Sequence, residues 1–227
     1  ELAKKSKVIV IKVGSNILVN EKHVLRRKWL NSLIADVKEL QKRGSRIVIV
    51  SSGAIALGRN ILSKKKLTNL HEKQAAASIG QIQLSQQWQK AFAKLNIQSS
   101  QILITAEDLN ERRKYLNIRN TIYSLMDLNV VPIINENDTT STEEIRFGDN
   151  DKLSAMIANA LSAELLILLS DVNGLYTANP KKSLQAKLIT SVEEVDQQIE
   201  KYIDKDLSEF GSGGMLAKIN AAKLCIQ

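Results

Sequence analysis

Apolar residues along the chain fall into two patterns, short continuous runs and longer stretches at helical spacing. The runs are KVIVIKV (7–13), RIVIV (46–50), QILI (101–104), VVPII (130–134) and LLILL (165–169). Their length and β-branched content predict five strands. Pro132 removes one ladder hydrogen bond from the fourth. Trp29, Leu30, Leu33, Ile34, Val37 and Leu40 recur at helical spacing, with Gly44 as the stop. Residues 73–95 predict a long helix, with Ala75, Ile79, Ile82, Leu84, Trp88 and Phe92 on its apolar contacts. Residues 115–128 and 151–161 predict two more, and a last helix starts near Met215. Ser51-Ser52-Gly53 reads as a turn, 135–141 as a polar loop and 172–206 as mixed.

Strands alternating with helices imply parallel pairing through right-handed crossovers. Strands this apolar belong in a sheet covered on both faces. The predicted fold is therefore α/β, a three-layer α/β/α sandwich around a mainly parallel central sheet. Ligands of such sheets sit beyond the carboxyl ends of the strands. That singles out the loops after Val13, Val50, Ile134 and Leu169. No repeat, low-complexity segment or linker divides the 227 residues.

Composition changes this picture little. With 44% hydrophobic and 25% charged residues the chain is an ordinary globular one. One cysteine, Cys225, excludes an intrachain disulfide and fits a reducing compartment. No apolar run approaches the roughly 20 residues that span a bilayer, and no leader pattern opens the chain; the expectation is a cytoplasmic protein without a membrane partner. The formal charge of +8 raises the question of nucleic acid. The lysines are scattered, however, and aromatic residues make up only 4%, so stacking platforms are scarce. A basic surface that attracts anionic metabolites explains the charge.

Six loops could carry chemistry. Lys12 ends a predicted buried strand, where its ammonium needs either an anion or a route to water, and Gly14 follows it. Ser51-Ser52-Gly53-Ala54 joins a strand to a helix, as an anion site or a simple N-cap. Asn135-Glu136-Asn137-Asp138 offers amides and carboxylates, or an ordinary polar turn. Phe147-Gly148-Asp149-Asn150-Asp151 holds more polar groups than one helix cap needs. Ser170-Asp171-Val172-Asn173-Gly174-Leu175-Tyr176 follows LLILL, as a candidate site or a polar turn closed by a glycine. Gly211-Ser212-Gly213-Gly214-Met215-Leu216-Ala217-Lys218 combines an anion nest with a lysine one turn into a helix; it lacks Walker A spacing. No dinucleotide fingerprint follows the first strand. His23 and His71 stand in polar stretches away from Cys225, so no zinc site is expected.

IKVGSN (11–16), SSGAIALG (51–58), QAAASIGQ (74–81), INEND (134–138), RFGDNDKLSA (146–155), LLSDVNGLYTANP (168–180) and GSGGMLAK (211–218) occur in this order. As an ordered set they resemble the amino acid kinase family, in its bacterial glutamate-phosphorylating branch. The resemblance implies the amino acid kinase fold and transfer of the γ-phosphoryl group of ATP, with Mg2+, to the γ-carboxylate of L-glutamate, the first step of proline biosynthesis. It implies that Lys12 and Lys218 flank the transferring group and that Asp151 orients them. Gly14 and Gly53 would offer backbone N–H groups. Ser52, Asp138 and Asn150 would bind glutamate, supported by Asn135, with Asp138 toward the α-ammonium and Ser52 and Asn150 toward carboxylate oxygens. Ser170, Asp171 and Ser212, Gly213, Gly214, Met215, Leu216, Ala217 and Lys218 would hold the nucleotide. Magnesium would ride on the phosphates, with no protein ligand.

The resemblance also implies L-proline as a feedback inhibitor and a homo-oligomer, dimer or tetramer. It departs from the family at Ser170 and Ser212, where threonine is more usual, and at Ala217, which replaces a threonine. The expectation is one kinase domain over 1–227, incomplete at its C-terminal end and without the PUA domain of many bacterial members. The competing readings are a relative acting on aspartate, N-acetylglutamate, carbamate or a nucleoside monophosphate, a nucleic-acid-binding module, and an inactive binding remnant.

Overall fold

The computed structural model describes residues 2–64, 66–141, 149–195, 199 and 214–226. In chain order the elements are α1 (Leu2–Lys5), β1 (Val8–Val13), α2 (Ser15–Leu18), α3 (Arg27–Lys42), β2 (Arg46–Ser51), α4 (Ala54–Ile61), α5 (Leu70–Ala93), β3 (Gln98–Ile104), α6 (Ala106–Asn110), α7 (Arg112–Asp127), β4 (Val130–Glu136), α8 (Asp149–Ala160), β5 (Leu165–Leu169), β6 (Leu175–Tyr176), β7 (Leu188–Ile189) and α9 (Gly214–Ile226). Five strands form one sheet in the order β3-β4-β2-β1-β5, and every pairing in it is parallel. β6 and β7 form a small antiparallel pair inside the stretch expected to be mixed.

Alternate residues of the strands feed two cores. Ile9, Ile11, Ile47, Ile49, Val131 and Ile133 pack with Leu30, Ile34, Val37, Leu84, Trp88 and Phe92 on the side of α3, α4 and α5. Val10, Val48, Val50 and Ile134 pack with Ile122, Met126, Leu153 and Ile157 of α7 and α8 on the other. This is the three-layer sandwich that the apolar runs predict. Among the described residues no helix is long and apolar enough to cross a membrane.

Several boundaries differ from the expectation, each for a local reason. β3 starts at Gln98, because Ser99 and Ser100 continue the ladder opposite Val131 and Pro132; backbone pairing on an edge strand does not need apolar side chains. Pro132 is tolerated because the β2–β4 pairing begins one residue later, at Ile133. β4 runs on through Asn135 and Glu136, opposite Leu103 and Ile104, so Asn135 is a buried strand residue rather than part of a loop. Likewise Ser51 ends β2, where a turn was expected. α5 begins at Leu70 because the Asn69 side chain accepts from the Glu72 N–H at 2.9 Å. α8 begins at Asp149, which places Asn150 and Asp151 in its first turn.

α4 and α5 meet through two glycines. A Cβ at Gly58 would lie 1.7 Å from the Ala76 carbonyl oxygen, and one at Gly80 would lie 1.8 Å from the Ala54 oxygen. Only hydrogen fits at either position. Glycine in a helix interior costs about 1 kcal/mol against alanine, which this backbone-to-backbone contact offsets. Because α4 starts directly after Ser52 and Gly53, the contact also fixes where those residues sit.

Candidate active site

The parallel register brings four strand ends to one edge of the sheet. Val13 lies opposite Ser51 on one side and Leu169 on the other, and Ile134 lies opposite Val50. Lys12, Ser51, Asn135 and Ser170 are thereby gathered from four strands. α8 supplies Asn150 and Asp151 over this edge, and α9, packed on α8, supplies Lys218. The Asn159 side chain ties the two helices by donating to the Leu224 carbonyl at 2.7 Å.

Asp151 is 1% exposed and Lys12 5%, too deep for either to be charged without a partner. Lys12 Nζ lies 2.7 Å from Asp151 Oδ1 and Lys218 Nζ 3.0 Å from Oδ2. Lys218 also donates to the Gly214 carbonyl at 3.4 Å. Two ammoniums share one carboxylate, so these three side chains sum to one positive charge. Burial pushes the Lys12 ammonium below its ordinary value of 10.5, and the Lys218 charge adds to this, while Asp151 works against it. An incoming anion would relieve that strain.

Gly14 adopts an extended conformation, φ −72° and ψ 153°, so its backbone does not require glycine. A Cβ there would sit 3.6 Å from Lys12 Nζ, over the ammonium. The missing side chain leaves that approach open. Gly53 is different: φ is +113°, in the left-handed region, and a Cβ would meet Val19 Cγ2 at 3.3 Å. Both its backbone and its surroundings select glycine.

Beside the charged group lies a neutral one. Asn150 Nδ2 donates to Ser52 Oγ at 2.9 Å, Asn135 Oδ1 at 3.2 Å and the Ser51 carbonyl at 3.4 Å. Its Oδ1 is buried and has no partner. Ser52 Oγ receives the Asn150 proton, so its own O–H is available to donate. The pair thus offers one acceptor and one donor side by side, which suits the ammonium and carboxylate of an amino acid. Asn135 Nδ2 donates to Gln81 Oε1 at 2.8 Å, and Asn135 Oδ1 accepts from the Glu136 N–H at 2.9 Å. Ser51 Oγ accepts from Trp88 Nε1 at 3.0 Å.

The remaining expected residues fall as follows. Asp138 is half-buried in the turn after β4, which Asn137 anchors by donating its N–H to the Ile104 carbonyl at 2.9 Å. Ser170 and Asp171 follow β5; Ser170 Oγ lies 3.4 Å from Asp171 Oδ1, and Asp171 pairs with Lys181. That bond to Lys181 holds the Asp171 carboxyl below its usual range. Among the described residues no hydrogen bond or ion pair joins either of them to Lys12, Asp151 or Lys218. Gly214, Met215, Leu216 and Ala217 form the first turn of α9. Ser212 and Gly213, like Arg146 to Gly148 of the RFGDND stretch, lie outside the described residues. Among the described residues no three His, Cys, Asp or Glu side chains gather to hold a metal.

Sequence reasoning missed Gln81, Gly58 and Gly80. For the glycines the signal was present, because inside segments of helical pattern they cost helix stability unless packing needs them; Gln81, a good helix former, gave none.

The parallel sheet thus carries two lysines and an aspartate at its carboxyl edge. The family model described as the amino acid kinase family matches residues 7–227, and the chain belongs to that family. It is similar to the glutamate 5-kinase of Pelagibacter ubique, 50% identical over 223 residues that make up 98% of this chain and 61% of that protein. It is also similar to those of Paramagnetospirillum magneticum, 46% identical over 97% of this chain and 60% of the relative, and Brucella abortus, 50% identical over 95% and 57%. The chain thus spans about 60% of the length of the curated relatives it matches. Among solved structures, T. acidophilum isopentenyl phosphate kinase aligns with a TM-score of 0.61 at 13% identity, covering 90% of this chain and 86% of that one. UMP kinase from Bacillus anthracis aligns with 0.57 at 17%, covering 81% and 72%. At such identities these two speak for the fold alone.

Proposed function

We propose that this chain phosphorylates the γ-carboxylate of L-glutamate with ATP, giving γ-glutamyl phosphate, the first intermediate of proline biosynthesis. The observation that carries the reading is the convergence of Lys12 and Lys218 on Asp151 next to the Asn150–Ser52 pair. The glutamate 5-kinase name of relatives about half identical to this chain supports the choice of substrate.

In the reaction a glutamate γ-carboxylate oxygen attacks the γ-phosphorus, the bond to the β,γ-bridging oxygen breaks, and ADP leaves. No proton has to move, because a carboxylate is already ionised at neutral pH. The demand on the protein is electrostatic. Lys12 and Lys218 neutralise charge on the phosphoryl oxygens and Asp151 positions them. Gly14 and Gly53 present backbone N–H groups. Ser52 donates to a carboxylate of the amino acid, while Asn150 Oδ1 and Asp138 receive its ammonium, with Asn135 bracing Asn150. The orientation of the Asn150 amide supports the ammonium, rather than a carboxylate, as its partner. Ser170, Asp171 and residues 212–218 hold the nucleotide, and Mg2+ travels on its phosphates. Feedback by L-proline at an overlapping site, a dimeric or tetrameric assembly and a cytoplasmic location complete the reading.

The test is to mix the chain with MgATP, L-glutamate and hydroxylamine and follow the hydroxamate. Product well above that of Lys218→Ala is expected; none above that level rejects the reading. Preference for aspartate or N-acetylglutamate would move it to another member of the family.

A further inference from the structure

We infer that Gln81, in the middle of α5, is a positioning residue that decides which atom Asn150 turns toward the amino acid substrate. The inference rests on the reading of this site as an amino-acid site. A row of hydrogen bonds links α8 to the edge strand β3, each donated in the direction from α8 to the strand. Ser85 donates to Gln101 Oε1. Gln81 Nε2 donates to Ser85 Oγ at 3.2 Å, which leaves Gln81 Oε1 facing the other way. Oε1 accepts from Asn135 Nδ2 at 2.8 Å. Asn135 Oδ1 is then the atom that meets Asn150 Nδ2 at 3.2 Å and the Glu136 N–H at 2.9 Å. Asn150 has spent its donor, and its buried Oδ1 is left without a hydrogen-bond partner.

Each amide has two ends of opposite character, so fixing one fixes the next. If Asn135 turned over, its NH2 would face two other donors, Glu136 N–H and Asn150 Nδ2. The Glu136 N–H at one end of the amide and the Gln81 acceptor at the other prevent this together. An unpartnered buried acceptor is unfavourable by about 1–3 kcal/mol, and here the relay holds it in place for a ligand donor. The relay therefore selects an amino acid with a free ammonium at this point.

Gln81 borders a cavity of about 220 Å³ that also touches Ser51, Leu84, Trp88 and Ile133. Gln81→Leu has room there and should fold. Two readouts test the relay. In spectra of 15N-labelled protein, Gln81→Leu should move the side-chain amide signal of Asn150 as well as that of Asn135, although Gln81 does not touch Asn150. In the hydroxamate assay it should raise KM for glutamate about tenfold, the worth of one hydrogen bond, and leave KM for ATP unchanged. Added to Asn135→Ala, it should have no further effect. An unmoved Asn150 signal, or additive effects of the two substitutions, would overturn the inference. If the unmodified chain turns over no glutamate, the functional reading fails, and the Asn150 signal still judges the relay.

Discussion

Asn150 and Asp151 are neighbours in the first turn of α8, yet they serve networks of opposite character. Asp151 is almost wholly buried between two ammoniums. Asn150 joins hydroxyl, amide and carbonyl groups from β2 and β4. The charged network draws on β1, α8 and α9; the neutral one draws on β2, β4, α5 and α8 and on Ser52 between β2 and α4. Charge is concentrated where a phosphoryl group would arrive, and directional neutral bonds where an amino acid would have to be recognised. One helical turn can divide the labour because successive side chains on a helix diverge by about 100°.

The sharpest way to break this division is Asp151→Ala. It leaves two cations facing each other in a buried site, at a cost of about 3–5 kcal/mol. Urea unfolding should show the loss, and turnover should vanish with it. If stability hardly changes, the charged half is wetter than its burial implies. Next is Gly80→Ala, which must push α4 away from α5. Overpacking of this kind costs about 1–3 kcal/mol. It should disturb Ser52 and Gly53 at the head of α4, so KM for glutamate should rise more than KM for ATP. Equal changes in both would show that the two halves are not separable.

Ser52→Ala removes one hydroxyl from the neutral half. KM for glutamate should rise about tenfold, with thermal stability within a few degrees and KM for ATP unchanged. The smallest effect is on pH dependence. The folded value of Lys12 lies below 10.5, so between the two values the unfolded chain holds more protons. This group alone then makes stability rise with pH across that window, while activity falls as Lys12 loses its charge. Denaturation and rate profiles should diverge on the alkaline side. Parallel profiles would show that Lys12 keeps its proton there.

Much of this was legible in the residues. The five strands follow from continuous apolar runs, because a strand buried on both faces has no polar alternation. Lys12 stands out as a charge at the end of such a run and Lys218 as a lysine behind a glycine-rich stretch, while the role expected of Asp151 came from the resemblance. Asn135 was harder: its polarity points to a loop, and only pairing with β3 keeps it in the sheet. Ser99 and Ser100 hid the start of β3 for the same reason. At Gly14 the absent Cβ leaves space over Lys12, while the backbone angle is an ordinary extended one.

By itself, the sequence determined the alternation of strands and helices, the parallel sheet and the loops that meet at its carboxyl edge, because periodicity and turn chemistry are local properties. The ordered motifs added the family. Tertiary structure alone decided that Lys12 and Lys218, 206 positions apart in the numbering, share one carboxylate, and that Gln81 reaches Asn150 through Asn135. Such pairings depend on strand order, on register and on how closely two helices can approach. Nothing in a one-dimensional pattern fixes those distances.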